Sequence, residues 1–167
     1  MFDKDLLFQI GGRLKEKGLS VSVAESVTSG LLQCAFSNIP DASGFFQGGI
    51  TAYNVGQKCR HLLVEPLHAI ANDSVSEKVA QDLACNVCAL FTSNYGIGIV
   101  GYAATMPEKN IHSLFAYFAI AFEGKIIHEG KITTEAEEGF PAQLYFTESV
   151  LKEFLSCLER NQKHNTH

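Results

Sequence analysis

Apolar positions along the chain switch between two spacings, and the switches mark the elements. Leu6, Leu7, Ile10 and Leu14 recur at helical spacing through residues 3–17, predicting an amphipathic first helix that GGRLKEKG closes, despite Gly11 and Gly12. LSVSVA then alternates as a short strand, SGLLQCAFSN reads as a helix, and FFQGGITAY carries the β-branched and aromatic residues of a second strand. These three make a β-α-β unit. NVGQKCRHLL and DSVSEKVAQDLACNVCALFT return to the helical period, and the Ser74–Glu77 spacing predicts a capping box at the start of the second. YGIGIVGYAA has the pattern of a buried strand. After the irregular TMPEKNIHS, SLFAYFAIAF and GKIIHEGKIT read as two strands joined in a hairpin at Glu123 and Gly124. Helical spacing resumes from about Pro141 to Leu158, and the tail RNQKHNTH is expected to fray. After the first helix the order β-α-β-α-α-β-β-β-α predicts an α/β fold, a mixed sheet with helices on both faces.

With 167 residues, 46% of them hydrophobic, the chain suits one domain with a sizeable core, placed here at residues 1–160 with 161–167 as tail. The net charge of -5 argues against nucleic acid, whose recognition needs clustered Lys and Arg, and favours a small-molecule or protein partner. No apolar run reaches the roughly 20 residues that cross a bilayer, and MFDKDLLFQI has acids where a signal peptide has cations, so a cytoplasmic protein without membrane contact is expected. Five cysteines, an odd number, are expected to be reduced.

The hydroxyl-rich run SVAESVTSG at 22–30 stands at a strand-to-helix turn. Such a turn presents a serine at the sheet edge beside free amides that can hold an anion, and Ser26, Thr28, Ser29 and Gly30 supply it; a simple helix cap fits the same local pattern. A nucleophilic serine needs a base. Lys58 lies just beyond the second strand, five residues after Tyr53, but a lysine with an ordinary pKa of about 10.4 must be buried or crowded by cations such as Arg60 or His61 before it can accept a proton. CNVC at 85–88 lacks a second ligand pair and falls on an apolar helix face; His61, His68, His112 and His128 follow no ligand spacing. The glycines of YGIGIVG lie inside a strand rather than at a turn, which disfavours a dinucleotide fold. No metal or cofactor is expected.

VAESVTSGLL, SGFFQGGITAYNVGQK and DSVSEKVAQDLA, in this order, resemble the CinA C-terminal domain family over roughly residues 5–160. Its patterns are an AESCTGG-type turn, a strand ending YSNxxK and a GAVSE helix start. The resemblance implies a three-layer α/β/α single domain with a mixed β-sheet, homo-oligomers, and, in some members, hydrolysis of nicotinamide mononucleotide to nicotinate mononucleotide and ammonia. It further implies Ser26 as nucleophile, Lys58 as activating base and Tyr53 beside them, with Ser76 and Glu77 matching the end of GAVSE. Ligand contacts are expected at Glu25, Thr28, Ser29, Gly30 and Gly101. The chain also departs from the family. SVTSG puts Ser29 where the pattern has glycine, and the [ST]GIAGPxGG loop is replaced by VGYAATMPEKN, with Val100 for a hydroxyl residue and Tyr102 adding bulk. No arginine lies between Arg60 and Arg160, so the family's late GDR segment has no counterpart. Two functions therefore stand: an amidohydrolase-like enzyme, or an inactive member serving as a small-molecule-binding or assembly module.

Overall fold

The computed structural model describes residues 2–160; the predicted tail lies outside them. Six α-helices and five strands follow in the order α1 (Lys4–Lys17), β1 (Val21–Glu25), α2 (Leu31–Ser37), β2 (Phe46–Thr51), α3 (Val55–Leu62), α4 (Pro66–Ala71), α5 (Glu77–Phe91), β3 (Tyr95–Tyr102), β4 (Leu114–Phe122), β5 (Lys125–Thr134) and α6 (Phe140–Arg160). The strands form one sheet in the order β2-β1-β3-β4-β5. β1 pairs in parallel with β2 and β3, whereas β4 runs antiparallel to both β3 and β5, so the sheet is mixed as expected.

The two faces of the sheet carry side chains of different size. Val21, Val23, Tyr95, Ile97, Ile99, Phe118 and Ile120 point into a large core with α1, α2 and α6. On the other face the sheet offers Ala24, Gly96, Gly98, Ala119 and Ala121 to α5, a surface of small residues that lets the helix lie close. A Cβ on Gly96 would fall 2.1 Å from the Ala84 carbonyl oxygen, and one on Gly98 2.3 Å from that of Ala80. The glycines of YGIGIVG thus serve helix-on-sheet packing. Together the faces give the three-layer α/β/α arrangement.

Helix ends follow local chemistry, with two differences from the sequence expectation. Asp3 caps α1 by accepting from the amides of Asp5 and Leu6, and Gly18 ends it in the left-handed region. The cap of α5 is Ser76, whose hydroxyl accepts from the Val79 amide at 3.2 Å, not Ser74. Ser74 is buried with φ +56, its amide committed to the Ala69 carbonyl at 2.7 Å, so the cap lies two residues further on and, with Val79 at its third position, the predicted capping box does not form. The short helix α4 was not foreseen: Pro66 sits in its first turn, the Glu65 carboxylate caps it, and it leaves Leu67 and Ile70 exposed. The hairpin turn lies at Glu123 and Gly124, both at positive φ.

The connections leaving β1 and β2 pass to opposite faces, α2 joining the first core and α3 the second. In open α/β sheets a crevice opens beyond the carboxyl ends of the strands at such a reversal. Ser26 follows β1, Tyr53 follows β2, and Tyr102 ends β3, so all three stand at that edge.

Candidate active site

The turn after β1 is fixed from both sides. The Ser26 amide donates to the Ile99 carbonyl at 3.1 Å, and the Glu25 carbonyl accepts from the Ala52 amide at 3.0 Å, so the neighbouring strands hold the segment. Glu25 is fully buried, and its carboxylate accepts from the amides of Leu32 and Gln33 at 3.1 and 3.0 Å, from Gln33 Nε2 at 3.1 Å, and from the Thr28 hydroxyl. This is an anion at a helix N-terminus, supplied by the chain itself: Gly30, the residue flanking α2, makes no side-chain cap, and Glu25 does that work. The anion-holding capacity of the turn is therefore largely consumed internally.

Beyond the turn lies a cleft of about 480 Å³, within the range of small-molecule sites. Its walls bring together Ser26, Tyr53, Lys58 and Gly101 from the expected set. Glu25, Thr28, Ser29 and Gly30 do not line it. Thr28 is fully buried against Glu25, while Ser29 points outward, its hydroxyl accepting from Gln143 Nε2 at 3.3 Å. Ser29 has φ +49, so the serine stands in a left-handed conformation that suits the glycine of the family pattern. Tyr53 is 71% exposed and forms the rim.

Ser26 is 7% exposed, and its hydroxyl makes no hydrogen bond to any described residue. Lys58 is 3% exposed, reached from α3, whose start is capped by the Asn54 side chain on the Gln57 amide at 3.0 Å. Its ammonium has no hydrogen bond or ion pair among the described residues. Burial therefore dominates its titration and pulls the pKa down to about 8, with Asp73 and Cys59 opposing. Arg60 and His61, proposed as helpers from the sequence, are exposed and are not among the causes. Ser26 and Lys58 share the cleft without a direct hydrogen bond between them.

Asp73, Tyr102, Lys109 and Gln143 also line the wall, though none was expected as a ligand contact. Asp73, in the turn after α4, accepts from Tyr102 Oη at 3.0 Å and from Lys109 Nζ at 2.7 Å. That ammonium, foremost, holds the Asp73 carboxyl below its usual range, while burial and the Asp73 charge push Tyr102 up to about 12. Gln143, from α6, completes the wall. Tyr102 thus forms a side of the cleft and does not fill it. Counting back from Ser76 and Glu77 puts Asp73 at the glycine of GAVSE, and its φ of +51 agrees. That positional mismatch was the available signal; Lys109 and Gln143 offered none. Val100, the other noted departure, is fully buried in the second core.

Residues 3–154 match the CinA C-terminal domain family. The chain belongs to that family. A CinA-like protein of Chlorobium chlorochromatii is 31% identical over 156 residues, 92% of this chain and 36% of its own length. The match covers 27%, 36% and 30% of the length of three curated relatives, and 74% of Protein MG115 of Mycoplasma genitalium, which is 34% identical over 116 residues. Among solved structures, a competence or damage-inducible protein from Enterobacter asburiae superposes with a TM-score of 0.87 at 21% identity, covering 95% of this chain and 99% of that one. A CinA superfamily protein from Enterobacter cloacae gives the same TM-score at 23% identity, covering 95% and 93%. These likenesses show the fold.

The remaining sequence candidates have structural places. Cys85 and Cys88 lie on α5, their thiols pushed up in pKa chiefly by burial, and no group of three or more His, Cys, Asp and Glu among the described residues is arranged to hold a metal. Among the described residues no helix is long and apolar enough to cross a membrane.

Proposed function

We propose that this CinA-family domain is an amidohydrolase acting on a small carboxamide, with Ser26 as nucleophile and Lys58 as base. One observation carries the reading: an unpaired, buried lysine with its pKa lowered to about 8 faces the same cleft as a serine whose hydroxyl is uncommitted. A lysine whose stem is buried and whose ammonium meets only the cleft is costly to charge, which suits a proton-accepting role.

In the proposed reaction Ser26 Oγ attacks the carboxamide carbon while Lys58 Nζ takes the hydroxyl proton. The carbonyl oxygen becomes an oxyanion, for which the Val27 amide is an available donor, since it donates to no described residue and Val27 lines the cleft. Collapse expels the nitrogen, Lys58 returns the proton to it, and ammonia leaves an acyl-serine. Water, deprotonated by Lys58, then releases the carboxylic acid and restores Ser26. Closing the gap between Ser26 and Lys58 falls to the bound state, in which catalytic hydrogen bonds tighten.

The test is ammonia release from nicotinamide mononucleotide and from nicotinamide riboside by the wild type, Ser26→Ala and Lys58→Met. Release from at least one substrate that falls about 1000-fold or more in both variants supports the reading. Equal background release from all three proteins rejects it.

The tie from Tyr102 and Lys109 to Asp73 favours a second reading, a binding module without turnover, because it commits the polar groups of one wall. Calorimetry with the same compounds separates the two: binding without ammonia supports the module, and robust turnover eliminates it.

A further inference from the structure

Asp73, Tyr102 and Lys109 reach the cleft from three separate segments and satisfy one another there. The assembly is held on each side. Asp73 occupies a left-handed conformation in the turn between α4 and α5, where the next residue, Ser74, is pinned by its amide to Ala69. Lys109 rides on a loop closed by a pair of backbone hydrogen bonds, Met106 N–H to Ile111 O at 2.9 Å and Ile111 N–H to Met106 O at 3.1 Å. Tyr102 is the last residue of β3.

The charges that this cleft offers an anion are few. Among the described residues the cations lining it are Lys58 and Lys109, and the chain's three arginines, Arg13, Arg60 and Arg160, are not in its lining. Lys58 faces the cleft with Ser26 and is committed, on the amidase reading, to the carboxamide end of the ligand. That leaves Lys109, whose ammonium already faces the Asp73 carboxylate. An incoming phosphate would have to take Lys109 from Asp73 and then stand beside the freed carboxylate, a like-charge contact on a wall where both side chains stay about half exposed.

From this we infer that the cleft selects a carboxamide ligand without a phosphate group, and that Asp73 is the residue that rejects the phosphorylated form. The carboxamide rests on the amidase reading; the discrimination is a property of binding and stands apart from turnover. Nicotinamide riboside and nicotinamide mononucleotide are matched probes, because they differ only in the phosphate.

The experiment is calorimetry on the full chain carrying Ser26→Ala, which removes turnover. The riboside should bind more tightly than the mononucleotide by on the order of tenfold or more. Adding Asp73→Asn, which keeps a residue tolerant of the left-handed region, frees Lys109 and should bring the ratio to unity or reverse it. Adding Lys109→Met to that variant should remove the gain for the mononucleotide. Tighter mononucleotide binding in the Ser26→Ala chain, a ratio unmoved by Asp73→Asn, or no binding of either compound overturns the inference. Ammonia release is measured separately on the Ser26 protein: riboside binding with the stated preference but no release sinks the amidase reading and leaves the discrimination intact.

Discussion

Lys58 carries a cost through its burial and, on the amidase reading, supplies the base. Its pKa in the folded chain, about 8, lies below the value near 10.5 that it has when solvated, so between those limits the unfolded chain binds more protons and stability rises with pH. Below pH 8 the whole cost is present, roughly 3 kcal/mol from a shift of this size. Lys58→Met is therefore expected to raise stability at pH 7 by about 2–3 kcal/mol, an advantage that shrinks as pH approaches 10; urea midpoints at the two pH values measure it. The same substitution should abolish ammonia release. In the wild type, release should climb about tenfold per pH unit below 8 and level off above it, since only the neutral amine accepts a proton. A flat profile from pH 6 to 9 would remove Lys58 from the role of base. Ser26, Tyr53 and Lys58 were legible because they lie within motifs next to strand ends. Asp73 was marked only by its mismatch with the family glycine and Lys109 by nothing, because their meeting depends on how two loops fold over the strand edge.

Elements differ in how openly the sequence declares them. All five strands and the long helices could be read: the helices, β1 and β5 from their apolar period, β2 from its β-branched and aromatic residues, and β3 and β4 from the apolar runs of buried strands. α4 was missed because six residues hold less than two turns, and its exposed Leu67 and Ile70 break any polar-outside pattern. The α5 cap was misread because Ser74 and Ser76 both precede the helix, and only the tertiary hold on Ser74 decides between them. Glycine shows the same dependence on context. In exposed Gly12 of α1 a Cβ would meet nothing within 4 Å, so Gly12→Ala should stabilise by about 0.5–1 kcal/mol through helix propensity. Gly98→Ala would set a methyl 2.3 Å from the Ala80 carbonyl and 2.6 Å from the Ala84 amide, forcing α5 off β3. A loss of at least 1–3 kcal/mol is expected. Denaturant midpoints of the two variants should move in opposite directions; equal shifts would mean that α5 does not lie against β3 as described.

Across the whole molecule the larger core fills one face of the sheet, whereas Lys58 reaches the cleft from the other, and α6 touches that cleft only through its first turns at Gln143. The larger core, with α1, α2 and α6, is closed by Phe154, whose ring meets Phe36 at 5.9 Å and Tyr95 at 5.3 Å, both edge to face. That contact binds the last long helix to α2 and β3. Lys58 belongs to α3, which packs with α4 and α5 on the opposite face. Phe154→Ala should therefore cost about 3–5 kcal/mol, through lost burial and an unfilled cavity, and lower the thermal midpoint accordingly. At temperatures where the variant is still folded, its rate profile should keep the inflection near pH 8, because no group that sets the Lys58 environment touches Phe154. A fall in midpoint with an unchanged inflection supports independent faces. If the inflection moves by a full pH unit, the sheet transmits packing changes to the cleft, and the division into a stabilising face and a chemical face is wrong.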